Sequence, residues 1–347
     1  MFVRESVRVG NVEITLETGR LAKQASGAVL ISLGETVVLV TAVSSGEERP
    51  GIDFFPLTCD YIEKTYAAGK IPGGFFKREA RPRDYEVLTA RLMDRPCRPL
   101  FPDGFKHETQ IIATLWSFDK KNPSEVLALT GASAALHISN IPWDGPIAGI
   151  RVGHVDGEFI AFPTYEQLEH SDLDITVACS KDAIVMVEGS TEEVSEQLLI
   201  DALIFAHESA QPLIGLIDKL REHVGKEKIG FEAPKLPEEL KKRLYEVSVD
   251  DVRACMEIAD KQPRYAQYKK VRKAAFAKLT EEFGEEMMAQ WDKLLKHSFE
   301  DDVKGHEMRQ KILNDGVRIG GRDTRTIRNI TCEVGVDSLW VWLFGKP

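Results

Sequence analysis

Between Lys77 and Arg98 the chain sets seven basic residues against four acidic ones, although its formal charge is −10 over 347 residues. The run opens as Phe75-Phe76-Lys77-Arg78-Glu79-Ala80-Arg81-Pro82-Arg83 and continues through Arg91, Arg95 and Arg98. Six of the seven cations are Arg, whose planar fork meets phosphate oxygens in pairs where Lys offers a point charge. A cationic island on an acidic chain confines attraction for a polyanion to one place, because the net charge would repel it. Two adjacent aromatic rings can stack on unpaired bases of any sequence, as single-strand binders do. Gly69, Gly73 and Gly74 just upstream predict an exposed loop with a pliable backbone. The competing reading is a solvated basic face, with arginines paired to Asp84, Glu86 and Asp94 and the phenylalanines in the core. Composition alone favours the second reading.

Other chemistries lack their residues. Cys59, Cys97, Cys179, Cys255 and Cys332 are odd in number and scattered, with no Cys-x-x-Cys or Cys/His ligand spacing, so free thiols are expected. The eight His are dispersed, and Gly69-Lys70 runs into Ile71 without the upstream glycine of a phosphate-binding P-loop. No metal ligands are assigned. A hydrophobic share of 43% and a charged share of 29% fit a soluble globular protein of two or three domains. No apolar run approaches the roughly 20 residues of a membrane span. The N-terminus, Met1-Phe2-Val3-Arg4-Glu5, shows no signal-peptide core, and a cytoplasmic location is expected.

The first 60 or so residues alternate like strands, with 28–33 and 36–43 flanking Gly34-Glu35 as a hairpin. A helix is predicted from an N-cap at Asp84 to Arg95, stopped by Pro96, which puts Arg91 and Arg95 on one face. Residues 111–117 read as a strand. Residues 125–138 read as a helix whose Gly131-Ala132-Ser133-Ala134-Ala135 permits close packing on a sheet. Strands at 173–180 and 183–187 and a helix at about 192–209 complete an α+β domain ending near Val224. Residues 225–237, rich in Gly, Pro and Lys, read as a linker, and the charged, helically spaced stretch beyond reads as an all-α module.

A short internal repeat follows. Ile14-Thr15-Leu16-Glu17-Thr18-Gly19 recurs as Ile330-Thr331-Cys332-Glu333-Val334-Gly335, identical at four of six positions, which points to a duplicated domain. Beyond Val336 the similarity stops. Residues 337–347 hold two of the five tryptophans and are expected to be poorly packed.

Several longer motifs accompany these features: Asp53-Phe-Phe-Pro-Leu57, Tyr66-Ala-Ala-Gly-Lys-Ile-Pro-Gly73, Phe75-Phe-Lys-Arg-Glu79, Arg91-Leu-Met-Asp-Arg-Pro96, Arg98-Pro-Leu-Phe-Pro102, Asp260-Lys-Gln-Pro-Arg-Tyr-Ala266 and Arg318-Ile-Gly-Gly-Arg322. Together they resemble the bacterial polynucleotide phosphorylase family over residues 1 to about 336. The resemblance implies an α+β, ribonuclease PH-like core at 1–224, a linker at 225–237, an all-α domain at 238–315, the truncated start of a second core at 316–336 and a tail foreign to the family at 337–347. It also implies a homotrimeric ring that degrades RNA from the 3′ end with inorganic phosphate as co-substrate, releasing nucleoside diphosphates with Mg²⁺ and working among other RNA-degradation proteins. Phe75, Phe76, Lys77, Arg78 and Arg81 match the loop along which single-stranded RNA enters. Arg91, Arg95 and Arg98 are read either as further RNA contacts or as structural partners of Asp94.

The departures from the family carry equal weight. The resemblance places phosphate-holding serines, metal-binding aspartates and all catalytic residues in the second core, of which about 20 residues are present. Gly320 stands where the family usually carries Asp. At the place of the serines the first core has Pro123-Ser124-Glu125, and Asp174 alone stands at the place of a metal-binding Asp, which is a poor Mg²⁺ site by itself. An RNA-binding, ring-building chain without phosphorolytic activity of its own is therefore expected. The alternatives are a non-catalytic ring subunit of the exosome kind and an inactive product of a frameshifted gene.

Overall fold

The computed structural model describes residues 1–328 except Pro50, Asp53 and Ala80, together with Thr331. The second copy of the repeat (Thr331 apart) and the tail at 337–347 lie outside the described residues. The chain forms two compact units, Met1–Ala233 and a second beginning at Pro234.

In the first unit β1 (Val3–Val9) and β2 (Val12–Thr18) pair as a hairpin, and β3 (Gly27–Leu33) and β4 (Thr36–Glu48) as another, turning at Gly34 with φ +59°. β5 (Leu57–Glu63) and β6 (His107–Ser117) complete a six-stranded sheet ordered β1-β2-β3-β4-β6-β5. Every neighbouring pair is antiparallel except β5 and β6, which are parallel. Parallel neighbours require a crossover connection. That crossover carries the aromatic-basic loop and α1 (Asp84–Cys97), so sheet topology itself projects the loop from the end of β5.

α2 (Glu125–Ile138) is buried at every residue and packs on β3 and β4 as well as on β7 (Ala148–Val155). Its small residues make this possible: a Cβ on Gly131 would stand 2.6 Å from Val40 Cγ2, inside any real contact distance. β8 (Glu158–Ala161), the single turn α3 (Tyr165–Leu168), β9 (Leu173–Cys179) and β10 (Ile184–Thr191) follow, and a second, antiparallel sheet runs β10-β9-β7-β8. α4 (Glu196–Val224) then packs against α2, β1 and β7.

Three boundaries differ from the sequence reading. α4 runs through Pro212 to Val224 instead of stopping near Ser209, because Ala210, Leu213, Ile214, Ile217 and Leu220 extend its buried row. Proline removes one intrahelical hydrogen bond there, which the apolar burial on both sides outweighs. α1 is capped by Arg83, not Asp84, and includes Pro96 in its last turn before ending at Cys97. β6 begins at His107, since its first residues still find partners on β4 and β5. Within 225–233 the backbone is tied to the first unit: Lys226 N donates to Ile138 O (3.0 Å) and Ile229 N to Asn140 O (2.8 Å).

In the second unit α5 (Glu238–Met256), α6 (Lys261–Phe283), α7 (Glu285–Ser298), a π-helical turn (Phe299–Gly305) and α8 (His306–Asp315) bury a separate core around Leu244, Val252, Leu279, Leu295 and Phe299. Gly284 at φ +84° separates α6 from α7, and Gly316 at φ +68° closes α8. Among the described residues no helix is long and apolar enough to cross a membrane.

Candidate nucleic-acid interface

The loop at 64–83 starts in a single 3₁₀ turn (Thr65–Ala68) that Gly69 closes in the left-handed region at φ +68°. Glu79 folds back on this turn, accepting hydrogen bonds from Thr65 N (3.1 Å) and Thr65 Oγ1 (2.9 Å). Between these points the chain swings outward. Phe75 is 93% exposed and Phe76 81%, their rings edge to face with centroids 5.4 Å apart. The phenylalanines are thus not the core residues that the solvated-face reading required. Exposing two large rings side by side costs solvation that a folded protein normally avoids.

The cations divide into two groups. Lys77, Arg78 and Arg81 are exposed and have no ion pair among the described residues. Arg83 instead holds the base of the loop, paired with Glu63 and with Glu86. Arg98 is engaged as well: it binds Asp94 at 2.6 Å and donates to the carbonyls of Phe55 (3.2 Å) and Leu57 (3.1 Å). Arg95 pairs with Glu188 of β10, and Arg91 is exposed without an ion pair among the described residues. The loop roofs a cleft of about 700 Å³ whose lining includes Lys64, Lys70, Arg78 and Arg81.

At the loop base one carboxylate meets both strands of the chain. Glu86 accepts from Glu63 N at the end of β5 (2.8 Å) and from Arg83 N at the start of α1 (2.8 Å). Burial alone would raise its pKa, but those two N–H groups and the Arg83 guanidinium outweigh it and hold the carboxyl below its ordinary value.

A second polar group lies where the sequence placed Glu125 and Asp174. Arg151 of β7 donates from Nε and Nη2 to Asp174 (2.8 and 2.7 Å) and from Nη1 to Glu125. Tyr85 Oη donates to Glu125 Oε2 (2.8 Å), and Tyr61 Oη lies 2.7 Å from Ser124 Oγ while donating to Glu63 (2.9 Å). Burial, then the Glu63 charge, pushes the Tyr61 phenol well above its ordinary value, so it remains a donor. Burial opposes the charge on Arg151, but Asp174 and Glu125 more than restore it. One guanidinium therefore satisfies both carboxylates. With the guanidinium already bridging the two carboxylates, this place does not fit Mg²⁺. Sequence reasoning found both acids and missed the cation between them. The available signal was an Arg between apolar neighbours, Ile150-Arg151-Val152, where a largely buried charge demands partners.

A six-stranded mixed sheet, a second antiparallel sheet and a buried small-residue helix between them define an α+β core carrying an aromatic-basic loop. Comparison with known proteins places it. Models of the 3′ exoribonuclease family match as domain 1 over residues 12–142 and domain 2 over 145–209, so the chain belongs to that family. Residues 239–323 match the model described as polyribonucleotide nucleotidyltransferase, RNA binding domain. The chain is 59% identical over 336 residues to the polyribonucleotide nucleotidyltransferase of Sorangium cellulosum, covering 97% of this chain and 44% of that protein. The protein of that name from Anaeromyxobacter dehalogenans is 48% identical over 340 residues, covering 96% and 47%. The chain thus corresponds to the N-terminal part of these relatives and spans less than half of their length. The crystal structure of rice (Oryza sativa) Rrp46 covers 60% of this chain and 94% of its own, at a TM-score of 0.49 and 14% identity.

Proposed function

We propose that these residues are the RNA-entry part of a phosphate-dependent 3′-to-5′ exoribonuclease that releases nucleoside diphosphates. In this reading single-stranded RNA passes the loop, its bases stacking on Phe75 and Phe76 and its phosphates meeting Lys77, Arg78 and Arg81. The carrying observation is the exposure of the two rings beside three cations that have no ion pair among the described residues. Residues 1–224 act as the first ribonuclease PH-like core, 238–315 as the helical domain and 316–336 as the start of a second core. Several copies form a ring, by our reading a homotrimer, in the cytoplasm. Phosphate and Mg²⁺ act outside the first core, because Arg151 already fills the place between Glu125 and Asp174. Arg98 is a structural residue in this account, and Arg95 and Arg91 are secondary to the loop.

The test is the salt dependence of binding to a single-stranded homopolymer. Each phosphate contact to a single strand adds roughly −0.7 to the slope of log K against log salt. Replacing Lys77, Arg78 and Arg81 together by Gln flattens that slope by about 2 if each meets a phosphate. A triple variant with parental affinity and parental slope would show that the three cations are an ordinary solvated face.

A further inference from the structure

The geometry points to a positioning role in RNA binding for Glu86, Tyr61 and Tyr85, with the Glu125–Arg151–Asp174 triad as the strut behind them. This inference rests on the RNA-loop reading above. The loop at 64–83 leaves the sheet at the end of β5 and rejoins regular structure at the start of α1, so its roots are two chain segments that must be held side by side. A 20-residue excursion is placed by those roots and, near its start, by the Phe118 N to Ala67 O hydrogen bond (3.0 Å) that ties its 3₁₀ turn to the end of β6. Holding the roots fixed reduces the conformational entropy that RNA binding would otherwise have to remove.

The structure fixes the roots at two levels. The Glu86 carboxylate clasps them directly, one oxygen on the Glu63 N–H and the other on the Arg83 N–H, each at 2.8 Å. Beneath it the two tyrosines, one from each root, stand edge to face with centroids 6.2 Å apart. Their hydroxyls reach consecutive residues at the start of α2: Tyr61 to Ser124 and Tyr85 to Glu125. Glu125 would be a costly acceptor if it stood alone, being buried. Arg151 fixes it, and Arg151 is itself fixed by two hydrogen bonds to Asp174. The carboxylates that fail as a phosphate or metal site thus serve as the anchor of the RNA loop. None of these side chains needs to touch RNA.

The experiment uses the full chain with two variants, Tyr61→Phe/Tyr85→Phe and Glu86→Gln. The tyrosine pair removes two hydroxyls and little packing, and it leaves Glu125 paired with Arg151, so it is the variant expected to fold normally even if Glu86→Gln does not. Amide hydrogen exchange should quicken within residues 64–83 and stay unchanged in β1–β4. Affinity for a single-stranded oligoadenylate should fall about threefold to tenfold, because only part of the three hydrogen bonds the tyrosine pair removes is felt as loop placement. The slope of log K against log salt should stay at the parental value, because no phosphate contact is lost. A purely structural role predicts quickened exchange throughout the first unit instead, and that result would overturn the inference, as would parental exchange and affinity in the tyrosine pair. The Lys77, Arg78 and Arg81 triple variant in the same assay separates the two levels. If it leaves binding unchanged, the RNA reading fails, and the exchange pattern alone then decides whether these residues hold the loop.

Discussion

Alanine at both Phe75 and Phe76 lowers affinity for single-stranded RNA by about thirtyfold or more, at low and high salt alike. Stacking one base on an aromatic ring is worth about 1–3 kcal/mol, so two rings lose at least about 2 kcal/mol, and 1.4 kcal/mol is tenfold. Stacking does not release counterions, so the loss persists where the cationic contribution has been screened away. The same substitution leaves stability nearly unchanged, within about 0.5 kcal/mol, because the rings are exposed and bury little against the fold. The pairing of a large binding effect with a small stability effect is what distinguishes a binding surface from misplaced core. Titration by fluorescence anisotropy and urea denaturation of the same double variant check both halves. A large loss of stability with unchanged RNA affinity would return the phenylalanines to the core.

Arg151→Met destabilises the first unit by about 3 kcal/mol at neutral pH, the low end of what breaking a buried ion pair costs. The low end applies because Asp174 keeps 35% of its side-chain surface in water, whereas Arg151 keeps 16% and Glu125 10%. Methionine fills most of the volume, so the deficit reports the stranded carboxylates, not a cavity. It therefore shrinks when Glu125→Gln is added to the same background, which removes one stranded charge. Denaturant midpoints of the single and double variants check this. A deficit that is absent, or that the second substitution leaves unchanged, would mean Glu125 and Asp174 are satisfied without Arg151.

What the sequence made legible was local. Gly131 to Ala135 announced a helix that must pack tightly, and the Val40 methyl 2.6 Å from where a Gly131 Cβ would stand shows why no larger residue fits. The alternation in 28–33 and 36–43 matches the hairpin, and the helical spacing beyond 238 matches the helices α5 to α8. α4 runs past the expected end near 209 because the reason to continue, burial of Leu213 to Leu220, is tertiary and outweighs Pro212. The candidate site was legible in its outward residues and not in its supports. Adjacent phenylalanines look alike in a sequence whether buried or exposed, and the parallel β5–β6 crossover that projects them is a long-range pairing. Glu125, Arg151 and Asp174 lie on three separate elements, so their meeting could not be read from spacing.

The central claim, that RNA runs over the loop at 64–83, is tested most directly by cross-linking. A single-stranded RNA carrying 4-thiouridine, irradiated with the full chain and digested, should leave its adducts on peptides covering residues 75–81, and excess unlabelled single strand should remove them. Adducts confined to the second unit or to the outer strands of the sheets, with 75–81 unmodified under conditions where binding is saturated, would contradict the account.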